Sequence, residues 1–327
     1  MQFMNRSNRR LVLAACAAVL SAVCLPAQAA WPDRPIKLIV PFAPGGSNDN
    51  IARVVAARLG TRLGQPIIVD NKGGAGGTIG TDYVVKSQAD GYTLLFASSS
   101  ITTNAAIGKK LSYDPLKDLA PIGEIGAGPF VVVVANDVKA TTLPELIALA
   151  RARPKSLSYG SAGIGGMNHL GTELLASAAK VQLVHVPYKG ISLAFTDLMS
   201  GTLQVLLPSL ASAAPYIHAG KMRGLAVTSL ARSPLAPELP TASEAGLPGF
   251  QLEVWWGLAG PARLPAPVVK RLNEELNAVL ALPDVSELLA REAATPKPGT
   301  PGQFGQLIRD DFTRWNRLIK DAHIQAE

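Results

Sequence analysis

Cysteine is nearly absent from this chain. The 327 residues contain two, Cys16 and Cys24, and both fall in a leading stretch that reads as a secretory signal. Arg6, Arg9 and Arg10 make a basic start, residues 11–25 an apolar run, and Ala27-Gln28-Ala29 a small-x-small cleavage site. Export to the periplasm with removal of residues 1–29 is therefore expected. The mature chain then holds no cysteine, which excludes disulfides, thiolate nucleophiles and cysteine metal sites together. Leu13-Ala14-Ala15-Cys16 resembles a lipoprotein box, and Arg9-Arg10 a twin-arginine signal. Cys16 follows the last arginine too closely to leave an apolar core ahead of it, and a bare arginine pair is a weak signal, so ordinary export ranks first.

Histidine is scarce as well. His169, His185, His218 and His323 are the full set, and no two have metal-ligand spacing on a helix, so neither a metal nor a cofactor is expected. Aromatic residues make up 6% of the chain and no run of Lys or Arg occurs, which argues against nucleic acid as a partner. Three arginines of the signal account for three of the net +7, leaving +4, a mild balance that suits a small anion. No later apolar run reaches the ~20 residues of a membrane span. Common enzyme motifs are missing: there is no GxxxxGK[ST] loop, no GxGxxG at a strand–helix junction, and no GxSxG elbow, since Tyr159 stands where its first glycine belongs. The chain is read as a non-enzyme. The rival is a secreted hydrolase or isomerase using Asp49, His169 or Lys189, with no recognisable nucleophile–base spacing to support it.

What the sequence does have is glycine at strand–helix junctions. Residues 36–40 read as a buried strand, and Ile51, Val54, Val55 and Leu59 repeat at helical spacing. Between them lie Ala43, Pro44, Gly45 and Gly46, then the helix-capping types Ser47, Asn48 and Asp49. A helix start leaves backbone N–H groups unpaired and carries partial positive charge, and the glycines let an incoming group approach the main chain. Such a corner suits an anion, although a plain tight turn would use the same residues.

Repetition carries the argument further. A strand at 66–70 enters NKGGAGGTIGTDYVVKSQ, and a strand at 92–97 ends in Ser98, Ser99 and Ser100. LSYGSAGIGGMNHLGTELLASAA again reads as strand, glycine loop and helix, the loop being Ser161, Ala162, Gly163, Ile164, Gly165 and Gly166 and the helix opening at Met167. A strand at 181–186 runs into Pro187, Tyr188, Lys189 and Gly190. This alternation predicts an α/β fold of mixed, mostly parallel sheets flanked by helices, with ligand beyond the strands' carboxyl ends.

Residues 108–128 read as irregular, 129–135 as a strand that crosses into a second domain just after residue 130, and 251–259 as the return. Helices are expected at 265–281, 284–293 and 301–321. The 298 residues from 30 onward suffice for two domains, 30–131 with 255–327 and 132–254, facing across a cleft. Within that cleft Asp49 reads as a helix-start residue with a lowered pKa rather than a general base. His169 is either a packing histidine or a ligand contact, Lys189 either a solvated lysine or a cation for a carboxylate, and Trp255 and Trp256 hinge and core packing with one face toward the cleft.

PFAPGGSNDNIARVVAARL, NKGGAGGTIGTDYV, GSAGIGGMNHLGTELL and HVPYKG together resemble the signature stretches of the Bug family, the extracytoplasmic substrate-binding proteins of tripartite tricarboxylate transporters. The resemblance covers essentially the whole mature chain. It implies a type II-like, two-domain periplasmic binding protein that closes, as a Venus flytrap does, on a small carboxylate-bearing ligand. Membrane transporter subunits, or a membrane sensor receptor, would be its partners, and a monomer is expected. Carried over residue by residue, ligand contacts fall on Ala43 to Asp49 and Ser161 to Met167, with Ser99, Ser100, Tyr188 and Lys189 beside them. Two departures stand out. Ile191-Ser192-Leu193 adds bulk after the YKG motif, and Val205-Leu206-Leu207-Pro208-Ser209 lacks the acid or amide often found there. A plain dicarboxylate, or an aromatic or aliphatic acid, is expected rather than an amino acid. Aspartate at Gly45 or Gly165 is expected to abolish binding without unfolding the chain.

Overall fold

A computed structural model describes residues 31–108 and 110–321. The signal-sequence reading of residues 1–29, and His323, lie outside the described residues. The fold below is that of residues 34–321.

The opening strand β1 (Ile36–Val40) leads to helix α1 (Ser47–Leu63), whose Ile51, Ala52, Val55, Ala56, Leu59 and Leu63 are buried along one face. Strand β2 (Ile67–Asn71), a 3-10 turn at Ala75–Gly77, helix α2 (Thr78–Val85), strand β3 (Thr93–Ser98) and the short helix α3 (Ser100–Ala106) continue the alternation. Strand β4 (Leu119–Pro129) then hands over to β5 (Val131–Val134). Four helix–strand steps follow: α4 (Leu143–Ala152), β6 (Ser158–Ser161), α5 (Met167–Ala179), β7 (Val184–Pro187), α6 (Ile191–Met199), β8 (Val205–Leu206), α7 (Leu210–His218) and β9 (Arg223–Val227). The chain returns through β10 (Glu253–Pro261) and closes with α8 (Ala266–Leu280), α9 (Pro283–Arg291), β11 (Thr295–Pro296) and α10 (Pro301–Asp321).

Two mixed sheets result, ordered β11-β4-β10-β3-β1-β2 and β7-β6-β8-β5-β9. Strands of the strand–helix repeats are parallel: β1 with β2 and β3, and β6 with β7 and β8. The crossing strands run against them. β10 is antiparallel to β3 and β4, and β5 to β8 and β9, so the antiparallel share exceeds what alternation alone implies. In the six-stranded sheet Ile39, Leu95, Ala97, Trp255 and Ala259 pack with Val84, Ile101, Phe304 and Ile308 into one core.

Residues 108–128 are not all irregular. Pro121, Gly123, Gly126 and Gly128 give β4 the composition of a loop, yet it pairs along its length with β10, from Glu253 opposite Pro129 to Pro261 opposite Leu119, with two register shifts. The small residues serve close packing: a Cβ on Gly126 would lie 2.6 Å from the Thr295 carbonyl of β11.

Both crossings between the sheets are tied by one buried residue, Thr228. Its amide donates to the Phe130 carbonyl at 3.0 Å, its hydroxyl donates to the Leu252 carbonyl at 2.6 Å and accepts from the Phe130 amide at 2.9 Å, and its carbonyl accepts from the Leu252 amide at 3.0 Å.

Candidate functional site

Between the two sheets lies a cavity of about 50 Å³. Phe42, Ala43, Gly46, Ser47, Asn48, Ser98, Ser100, Val254 and Trp256 line it from one lobe, and Phe130, Ala162, Met167, Asn168, Ile191, Ser192 and Ser209 from the crossing and the other lobe. Helices α1, α5 and α6 bring their first residues to it (Ser47, Met167, Ile191), and α7 brings Ser209, the residue before its first turn. No charged side chain lines the cavity among the described residues. Its field is therefore set by helix starts, each of which carries partial positive charge and favours an anion.

The first corner, 43–49, is held open from behind. Asp49 accepts hydrogen bonds from the Gly45 amide at 3.1 Å, Arg53 Nε at 3.0 Å and Asn71 Nδ2 at 3.0 Å, and Asn71 Nδ2 also reaches the Phe42 carbonyl at 3.1 Å. Burial alone pushes the Asp49 carboxyl up, but the bonds from Arg53, Asn71 and Gly45 outweigh it and hold the carboxyl below its ordinary range. The direction matches the sequence reading, while the cause is side-chain partners rather than the helix start alone. In front, the Asp49 and Asn50 amides close onto the Gly46 carbonyl. Those of Ser47 and Asn48, both in the cavity wall, have no acceptor among the described residues. Trp256 Nε1 donates to Asn48 Oδ1 at 2.7 Å, fixing that side chain.

The second corner, 161–167, differs. Its amides are engaged: Gly163 N donates to Ser161 Oγ at 3.0 Å, Gly165 N to His169 Nδ1 at 3.2 Å, Gly166 N to the Gly163 carbonyl at 3.1 Å and Met167 N to Ser100 Oγ at 3.3 Å. Behind the loop, His185 Nε2 meets Ser161 Oγ at 2.6 Å, and Tyr159, His185 and His169 stack with centroids 5.0 and 4.2 Å apart. Burial lowers the His185 pKa to about 4, so the ring is neutral at physiological pH. This serine–histidine pair was not legible in the spacing of the sequence, and it does not face the cavity: Ser161 is 0% exposed and is absent from the lining.

The glycines of this corner pack on the opposite lobe. A Cβ on Gly163 would stand 2.5 Å from the Gly76 amide nitrogen, and one on Gly76 2.5 Å from the Ile164 carbonyl. Thr103 Oγ1 donates to the Gly165 carbonyl at 2.7 Å, and Asn104 Nδ2 to the Gly76 carbonyl at 2.7 Å. Across the cavity Ser47 Oγ meets Ser209 Oγ at 2.8 Å, and Ser192 Oγ donates to the Pro44 carbonyl at 3.2 Å. The lobes are closed on each other.

Of the residues selected from the sequence, the structure brings Ala43, Gly46, Ser47, Asn48, Ser100, Ala162 and Met167 together in the cavity wall. It places the others elsewhere. Pro44 and Gly45 are exposed, and Asp49 is turned to its own partners. Ser99 Oγ accepts from the Trp255 amide at 2.8 Å. Ser161 is buried behind the loop, and Gly163, Ile164, Gly165 and Gly166 form the seam against residues 76 and 104. Tyr188 donates to Asp197 at 2.6 Å, and burial together with that bond pushes its phenol up to about 12. Lys189 is exposed. The wall also contains residues the selection passed over. Asn168 sits inside the quoted glycine motif, Ile191 and Ser192 in the bulky departure, and Ser209 at the end of the Leu-Pro-Ser stretch. Phe42, Ser98, Phe130, Val254 and Trp256 come from strand ends and crossings, which carry no motif of their own. Among the described residues no helix is long and apolar enough to cross a membrane, and no three His, Cys, Asp or Glu side chains stand where they could hold a metal.

Two α/β lobes joined by tied crossings, closed over a small uncharged cavity ringed by helix starts, define a solute-binding protein of the periplasmic class. Residues 51–324 match the family described as the tripartite tricarboxylate transporter family receptor, and the chain belongs to that family. Three solved structures are closely similar. The periplasmic binding protein BugD is 34% identical with a TM-score of 0.87, over 91% of this chain and 100% of that one. Rpa4515 of R. palustris, solved with adipate, is 35% identical with a TM-score of 0.87, over 90% and 99%. MatC of Rhodopseudomonas palustris, with bound malate, is 31% identical with a TM-score of 0.85, over 88% and 100%.

Proposed function

We propose that this receptor captures a small carboxylate in the periplasm by closing its two lobes, releases it chemically unchanged, and delivers it as a monomer to the membrane subunits of a tripartite transporter. The lobes are taken as residues 30–131 with 255–327 and residues 132–254, hinged where Thr228 ties the crossings. One observation carries the reading: four helix starts converge on a cavity wall that contains no formal charge. A cation there would face only positive helix ends, and a neutral apolar solute would leave the Ser47 and Asn48 amides unpaired. The carboxylate is assigned to those two amides. Relatives solved with adipate and with malate support the ligand class.

Size supports it too. One water needs ~10–15 Å³ of such space, so about 50 Å³ accommodates a compact acid and not a nucleotide or peptide. Hydrogen bonds from N–H groups to a carboxylate contribute ~1.5–3 kcal/mol each, and three or four of them, less ordering costs, reach the ~8 kcal/mol of a micromolar complex. Because the acid touches both lobes, it favours the closed state.

Thermal unfolding against a panel of small mono- and dicarboxylates tests the proposal. An acid at 100 times its Kd adds ~2.7 kcal/mol and raises the midpoint by ~2–4 °C. Mass spectrometry of the panel member after incubation should return it intact. A chain that ignores every acid, or that converts one, contradicts the reading.

A further inference from the structure

We propose that the cavity prefers acids carrying a hydroxyl on the carbon skeleton over the matching unsubstituted acids, and that Asn168 reads that hydroxyl. The inference rests on the carboxylate reading above and names the class of acid within it.

Two asparagines reach the cavity from opposite lobes, Asn48 in the first turn of α1 and Asn168 in the first turn of α5. Each amide is oriented by a partner that has only one hydrogen-bonding role. The indole N–H of Trp256 can only donate, and it takes Asn48 Oδ1 at 2.7 Å. That leaves Asn48 Nδ2 as a donor. The Leu207 carbonyl can only accept, and it takes Asn168 Nδ2 at 2.6 Å. That leaves Asn168 Oδ1 as an acceptor, and no group among the described residues donates to it. The cavity is therefore polarised. Its first-lobe side offers donors, Asn48 Nδ2 with the Ser47 and Asn48 amides; its second-lobe side offers one fixed acceptor.

Hydroxyls in the wall can rotate between roles, and Ser47 and Ser209 already bond each other at 2.8 Å. Asn168 Oδ1 cannot change roles, because turning its amide breaks the bond to Leu207. A carboxylate has no proton to give it at neutral pH, so an unsubstituted acid leaves this oxygen unpaired when the lobes close, and a site with such a group discriminates against the ligand that lacks the donor. A hydroxyl beside the carboxylate supplies the proton. An ammonium also donates, but it places a full positive charge among helix starts with no carboxylate in the wall to neutralise it. The hydroxy acid satisfies donors and acceptor together, which the amino acid and the plain acid do not.

Isothermal titration of the purified receptor with matched acids tests this: malate against succinate and aspartate, and lactate against propanoate and alanine. The hydroxy acid in at least one set should bind ten or more times more tightly than both partners. In Asn168→Leu the margin over the plain acid should shrink to within threefold, through weaker hydroxy-acid binding while the plain acid holds or gains. Asn168→Ala serves if the leucine variant does not fold, with the unfolding midpoint of the free protein as the check. Equal affinity for hydroxy and plain acids in the unmodified receptor overturns the inference while leaving the carboxylate reading standing, as does a margin that survives in a folded Asn168 variant. Failure of every acid in both sets overturns the carboxylate reading and this inference with it.

Discussion

Two glycine corners with nearly the same sequence pattern do different work in this receptor. At 43–49 the glycine-bearing loop is braced from behind by Asp49, Arg53 and Asn71, and the amides of Ser47 and Asn48 have no acceptor among the described residues. At 161–167 the side chains of Ser161, His169 and Ser100 occupy the Gly163, Gly165 and Met167 amides, and the glycines press on the facing glycine turn of the other lobe. In the proposed function the first corner receives the ligand, while the second forms the seam on which the lobes meet. A strand, a glycine loop and a helix start define an opportunity for anion binding. Whether it is used depends on which side chains reach the amides first.

The contrast is broken most severely at Gly163. Its φ of +113° disfavours any side chain, and a Cβ there would stand 2.5 Å from backbone of the opposite lobe, which cannot move aside as a flexible side chain would. Gly163→Val should therefore lower ligand affinity more than about 100-fold, a loss of ~2.7 kcal/mol, while the free protein stays folded; titration calorimetry with a circular dichroism control measures both. At the first corner Gly45 has φ +89° but a Cβ there meets nothing within 4 Å. Gly45→Ala should cost only backbone strain, ~1–2 kcal/mol, with affinity kept within about tenfold. Aspartate at Gly45 is accordingly expected to be much milder than the sequence suggested, and aspartate at Gly165, whose Cβ would lie 2.5 Å from Asn104 Oδ1, severe. Equal effects at the two corners would dissolve the distinction.

Next in size is the brace. Asp49→Ala removes the acceptor of the Gly45 amide and leaves Asn71 with only the Phe42 carbonyl and Arg53 with only Asn71 Oδ1, and should cost about 1–3 kcal/mol of unfolding free energy. The folded carboxyl titrates below its ordinary value of 3.8, so its contribution is complete well above that value and fades as pH falls through the folded pKa. Urea unfolding from pH 6 to pH 2.5 should show an acid-side loss that Asp49→Asn lacks.

The seam has a histidine-driven signature of the same sign, set at higher pH. With His185 lowered from 6.5 to about 4 by burial, the unfolded chain binds the proton more readily, so stability falls as pH drops from about 6.5 toward 4. His185→Gln should flatten the unfolding midpoint across that window. Smallest of all is Lys189→Ala. The side chain is exposed and outside the cavity wall, and affinity should change less than about twofold, well under 1 kcal/mol; a tenfold loss by titration would place that lysine in the ligand's path.

Much of the architecture was legible because local signals and burial agree. Ile51, Val55 and Leu59 lie on the buried face that their spacing predicts, and the glycine loops sit at strand ends. β4 was not legible, since its prolines and glycines spell a loop; only pairing with β10, more than a hundred residues later, makes it a strand. At the site, Ser47 and Asn48 followed from helix-start chemistry. Asn168 and Ser209 did not, because their roles come from partners distant in sequence, Leu207 and Ser47; Trp256 was read as packing with a face toward the cleft, but its bond to Asn48 was not foreseen. Nor could the sequence tell that Ser161 and His169 would turn inward and take the second corner's amides.

A crystal structure of the receptor grown with malate tests the division of labour most directly. A carboxylate oxygen is expected within about 3.2 Å of the Ser47 and Asn48 amide nitrogens, with Gly163 and Gly165 still donating to Ser161 and His169. A carboxylate held instead by the Gly163 and Gly165 amides, with those two side chains displaced, would contradict it.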